Sequence, residues 1–166
     1  MANNPVRVKT IERDLGYTKI LKETKYLDDK AAAVGFLQGA DYQDGTPIAH
    51  IAAIQEFGST KKNIPERPFF RNWLSKGKRA INAIVETLIG QILDGNLTVD
   101  KGLKTLGIYG VGELKKSIID LRNPANAPAT IARKGSSNPL IDTGTMLNNV
   151  DSEIRKIKWV YSIHLI

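Results

Sequence analysis

Residues 138–146, Asn-Pro-Leu-Ile-Asp-Thr-Gly-Thr-Met, set a carboxylate on a glycine turn directly after two apolar residues. An aspartate so placed can serve peptide hydrolysis, because two carboxylates sharing a proton across one water act as base and acid. A chain with a single Asp-Thr-Gly must pair with a second copy to supply both. It must also follow the motif with strands that form a flap over the substrate. Only residues 145–166 follow Gly144, and no flap is expected to fit there. The segment instead runs on into Leu-Asn-Asn-Val-Asp-Ser-Glu-Ile (147–154), which reads as a short helix and then a strand. The expectation is therefore a structural turn. Asp142 or Thr143 accepts backbone N–H groups at the helix start, and Gly144 permits the chain reversal.

Other chemistry is weaker still. Gly107, Gly110 and Gly112 in Gly-Ile-Tyr-Gly-Val-Gly-Glu fall in the wrong order for a dinucleotide loop. No Lys-Ser/Thr follows them, as a phosphate-binding loop needs. His50 lies in an apolar helical stretch with Glu56 nearby and no nucleophile, which reads as a partly buried structural histidine. The other histidine, His164, has no evident partner. The chain has no cysteine, so disulfides and thiolate metal sites are excluded, and a reducing compartment suits it. No acid, base and oxyanion site assemble from the sequence. Neither a cofactor nor a bound metal is expected.

Composition agrees with a folded protein: 42% hydrophobic and 25% charged over 166 residues, enough for one domain over residues 1–166. No apolar run approaches the ~18 residues of a membrane span, so no membrane partner is expected. The first residues, Met-Ala-Asn-Asn-Pro-Val-Arg-Val, lack the apolar core of a signal peptide and read as a flexible arm over 1–8. The net charge of +7 favours contact with a polyanion without implying base reading. It is concentrated: Lys61, Lys62, Arg67, Arg71, Lys76, Lys78 and Arg79 face Glu66 alone in their stretch. Arg122, Arg133 and Lys134 lie between Asp120 and Asp142 with no acid among them. Either stretch reads equally as a solvated face or as a phosphate-facing one.

The elements that would position these residues follow from periodicity. Residues 10–24 place Ile11, Leu15 and Ile20/Leu21 at helical spacing, interrupted by Gly16. Residues 31–38 read as a buried strand. Asp44-Gly45 is a turn, Thr46 a helix cap, and Pro47 the first helical residue of a helix that stops at Gly58. Phe70, Trp73/Leu74, Gly77, Ile81, Ile84/Val85, Leu88 and Ile92 form one apolar stripe along a long helix. Residues 98–121 carry helical spacing but three glycines, so two pieces or one bent helix are expected. Ile157, Trp159, Tyr161, Ile163 and Leu165 alternate as a half-buried strand, preceded by another around 150–155. The sum is an α+β domain. A small antiparallel sheet packs against one long helix and shorter helices, with long loops at 58–69 and 122–140.

Beyond single motifs, the ordered set of segments resembles the neck and tail-completion (virion morphogenesis, minor tail component) proteins of long-tailed bacteriophages. The matches are Asp44-Gly45, Glu56-Phe57-Gly58 and Ile64-Pro65-Glu66-Arg67-Pro68-Phe69 opening a long helix. Downstream come Pro-Ala-Thr-Ile-Ala-Arg-Lys-Gly (128–135) and Pro-Leu-Ile-Asp-Thr-Gly (139–144). The likeness covers roughly residues 34–73 and 114–150; residues 1–30 show no such pattern. Its implication is a non-enzymatic structural protein of the virion, assembled in the host bacterial cytoplasm. It would form a ring of identical subunits, hexameric or dodecameric, between neighbouring neck and tail proteins around the DNA channel. A tail terminator or a head-side connector subunit is the alternative, and a non-specific nucleic-acid-binding module a further one. In that family the Asp-Thr-Gly is structural.

On this reading the loop residues Ile64, Pro65, Arg67, Pro68 and Phe69 form a subunit interface, stiffened by its prolines. Ile64 and Phe69 equally suit the domain's own core. Lys61, Lys62, Arg133 and Lys134 are candidates to line the channel and contact DNA without reading bases, or to be merely solvated. Gly58, Asp142, Thr143 and Gly144 are assigned to turns and caps.

Overall fold

The computed structural model describes residue 14 and residues 16–27, 29–37 and 39–157. Its elements run α1 (Tyr17–Leu27), β1 (Lys30–Phe36), α2 (Ile48–Phe57), α3 (Phe69–Leu93), α4 (Val99–Asp120), α5 (Pro128–Lys134), α6 (Thr145–Asn148) and β2 (Val150–Lys156). A single 3-10 turn, Thr60–Lys62, interrupts the loop before α3. The α+β expectation holds: a two-stranded antiparallel sheet accompanies one long helix and several shorter ones.

The sheet joins segments far apart in sequence. β1 pairs antiparallel with β2, from Lys30 opposite Lys156 to Phe36 opposite Val150. Helix α4 packs on both strands and along α3. Two of its glycines make this approach possible. A Cβ on Gly107 would sit 2.7 Å from Ser152 Oγ, and one on Gly110 would sit 2.9 Å from Val34 Cγ2. The glycines read as helix breakers are thus flat spots that admit the sheet. Residues 99–120 form one continuous helix, and the expected break is absent.

The core gathers where α3, α4, α2 and the chain after α5 meet. Phe69, Ile48, Leu114 and Ile118 are fully buried, with Trp73, Leu121, Leu140, Met146 and Val150 around them. Phe36 meets Phe69 edge-on, and Phe70 meets Trp73 at 5.2 Å between centroids. Aromatic pairs of this geometry stabilise beyond their area burial.

Several expectations shift. Helix α1 lies over 17–27; Gly16, at φ +102°, precedes it, and the Asp14 carboxylate accepts the Gly16 and Thr18 N–H groups. β1 is half-buried, since only one of its faces meets α4. Helix α2 begins one residue later than expected, with Pro47 in the cap position, while the Thr46 N–H is taken by Asp44 Oδ1. His50 is exposed on α2. The stretch 122–140 is not wholly loop, because α5 occupies its middle. Of the two C-terminal strands, the earlier is β2; the later one, with His164 and residues 158–166, lies outside the described residues, as does the arm at 1–8. Among the described residues, no helix is long and apolar enough to cross a membrane.

Candidate functional site

Helix α3 opens on Pro68, which has no side chain able to cap it. The cap comes from α2. The buried Glu56 carboxylate accepts the Phe70 N–H at 2.8 Å, the Arg71 N–H at 3.1 Å and Arg71 Nε at 2.8 Å. An anion at a helix N-terminus is stabilised both by the free N–H groups and by the helix dipole. Arg71 returns to the Glu56 carbonyl, stands over the Phe57 ring at 5.2 Å and pairs with Glu66. Between these anchors Gly58 takes φ +72°, and a Cβ there would lie 2.9 Å from both Glu66 N and Ile64 O. Only glycine fits that crossing. Glu-Phe-Gly and Ile-Pro-Glu-Arg-Pro-Phe are therefore two halves of one helix junction.

Arg67 ties this junction to the later loop. It is 5% exposed; its side chain donates to Gln55 Oε1 at 2.7 Å, Pro124 O at 3.1 Å and Asn126 Oδ1 at 3.2 Å. Burial pushes its pKa down from the usual arginine range. Buried Asn138 performs the corresponding task for the segment after α5: it donates to Ile119 O on α4 and accepts the Leu140 N–H. Lys134 donates to the Asn138 and Pro139 carbonyls.

The Asp-Thr-Gly turn follows. Gly144, at φ +81°, caps α6, and Thr143 Oγ1 accepts the Thr145 N–H at 3.3 Å and shares a 2.6 Å hydroxyl contact with Thr145. The side-chain oxygen that accepts an N–H at this helix start is that of Thr143, one residue before the cap position. Asp142 is exposed, and its charge is felt by Tyr42 and Lys134 across the turn. Asp44 shares this region, but its carboxyl is held below the usual range by the Thr46 N–H and hydroxyl.

These pieces enclose a groove of about 1320 Å³ whose walls come from residues 41–46, from α2, from the 63–67 loop, from 125–134 and from 139–146. Ile64 is half-buried and Pro65 exposed, and both line it. Two of the expected interface residues are committed inward. Phe69 is 1% exposed and belongs to the core, because the α3 stripe begins one residue earlier than the periodicity suggests. Arg67 is a cross-brace, with its three bonds made inside the chain. Pro68 is half-buried at the α3 start. Lys61 and Lys62 are exposed on the 3-10 turn and do not line the groove, whereas Arg133 and Lys134 do. The four candidate channel cations thus fall into two separate pairs, and Lys134 is partly spent on holding its own loop.

Gln55, Asn126 and Asn138 went unnoticed in the sequence; the one hint is that the loop after α4 is rich in asparagine as well as proline. Among the described residues, no group of three or more potential ligands could hold a metal ion. Comparison of the chain with known family models, curated proteins and solved structures finds no match.

Proposed function

We propose that the chain is a structural virion protein of a tailed bacteriophage or prophage. In this reading it is a ring-forming neck or tail-completion subunit that joins tail to head around the DNA channel. One observation supports the reading above the rest: the motifs that carry the resemblance, which stand on either side of the two long helices α3 and α4, are bonded to one another. Glu56 caps α3, Arg67 reaches Pro124 and Asn126, and the Asp-Thr-Gly turn closes the same groove. A set of short motifs that are physically connected describes one local structure, not a chance collection of turns.

A ring needs two different surfaces that meet around an axis. The junction supplies a stiff frame for one of them. Ile64 and Pro65 stand at the groove, and Phe57 is exposed at the end of α2. The exposed cations Lys61 and Lys62, which stand outside the groove, suit non-specific contact with DNA in the channel. The partners are then copies of the chain and the neighbouring neck and tail proteins. Micrographs of virions assembled without the protein test this reading. Separate full heads and finished tails are expected; intact, infectious particles would sink it.

A further inference from the structure

The groove holds a buried cation, Arg67, that forms no ion pair among the described residues. Arg67 donates three of its five N–H groups, and all three acceptors are neutral oxygens. Among the described residues it forms no ion pair, nor do Arg133 and Lys134. Desolvating a guanidinium is costly unless an anion compensates it. The three cations line the same groove, and Lys134 is pushed down by its burial and by the positive charges of Arg67 and Arg133. Asp142 pulls Lys134 the other way but stays exposed at the lip.

The rest of the lining decides what kind of anion enters. Ile51, Ile64, Pro65, Leu140 and Met146 give it an apolar share. Its volume of about 1320 Å³ exceeds the ~300–1,000 Å³ of ordinary small-molecule sites. A nucleic-acid strand fits poorly, because Asp41, Asp44 and Asp142 also line the groove and would repel successive phosphates. Among the described residues of the lining, Tyr42 is the one aromatic, too little for a base-stacking track.

We propose that this groove receives an extended peptide segment bearing one acidic side chain between apolar ones, its carboxylate meeting Arg67, Arg133 and Lys134. The inference rests on the assembly reading only in taking the donor of that segment to be a neighbouring subunit. A carboxylate there accepts charge-assisted bonds that can be bidentate at a guanidinium. The apolar flanks cover Ile64 and Pro65.

A random heptapeptide library displayed and selected against the dilute full-length chain tests this. Selected peptides are expected to share one Asp or Glu flanked by apolar residues. Changing that acid to its amide is expected to weaken binding about tenfold. Arg133 is exposed and makes no hydrogen bond or ion pair among the described residues, so Arg133→Gln is expected to fold and to bind severalfold more weakly. Amide resonances of residues 63–67 and 138–146 should shift on binding. Selection without acidic enrichment, equal binding by Arg133→Gln, or shifts caused by a short DNA duplex and not by the peptides would each overturn the proposal. Acidic selection by a chain that forms no ring would overturn the assembly reading alone; a ring-forming chain that selects no such peptide would overturn this one alone.

Discussion

Glu56 and Arg67 lie on either side of Gly58, both buried and both charged, yet their surroundings differ. Glu56 is closed off: two backbone N–H groups and a guanidinium saturate it, and it secures the start of α3. Arg67 is braced by neutral oxygens and lines an open groove. The difference teaches how one short stretch of chain serves two ends. Glu56 has its counter-charge beside it and fixes a helix start, whereas Arg67, which forms no ion pair among the described residues, braces its loop and still faces the groove.

Removing the closed charge is expected to cost the most. Glu56→Ala leaves two N–H groups of α3 without an acceptor and is expected to lower stability by about 3 kcal/mol, roughly 9 °C in thermal unfolding. Arg67→Met removes the desolvation cost together with the three bonds, and a loss of about 1–2 kcal/mol in urea titrations is expected. Equal losses for the two would erase the contrast. Gly110→Ala tests the close approach of α4 to the sheet instead. The clash with Val34 is expected to cost about 2 kcal/mol, reduced by the helix preference of alanine, ~1 kcal/mol.

Smaller effects distinguish the residues of the protease-like turn. Thr143→Ala is expected to cost about 1 kcal/mol, as loss of a hydrogen bond at a helix start does. Asp142→Asn, an exposed change, should stay within about 0.5 kcal/mol. The smallest effect is a pH dependence at Asp44, whose carboxylate the Thr46 N–H holds below the usual range. Its folded pKa is depressed, so its contribution is present above the unfolded value, near 3.8, and is lost as pH falls through the folded one. Asp44→Asn should flatten that part of the acid limb, which denaturant midpoints between pH 5 and 2 will show.

Local patterns were readable in the sequence; relations across distance were not. The stripe from Phe70 to Ile92 located α3 to within a residue because an amphipathic helix writes its own period. Pro128 and Gly135 are ordinary start and stop signals of a helix, but the surrounding Pro, Ala, Asn and Ser made the segment look like loop. The α4 glycines were legible only as breakers, since their purpose depends on a sheet formed by strands more than a hundred residues apart. Arg67 looked available because arginines are seldom buried; its acceptors, Gln55 and Asn126, lie on other elements. The groove has the same cause. Its walls belong to five stretches, and no one of them shows a concavity.

The size and shape of the chain in concentrated solution test the central claim most directly, with light scattering and electron microscopy on the same samples. The account predicts closed rings many times heavier than the 18.3 kDa subunit, each with an open lumen. Monomer alone at every concentration, and no ring in any image, would contradict it.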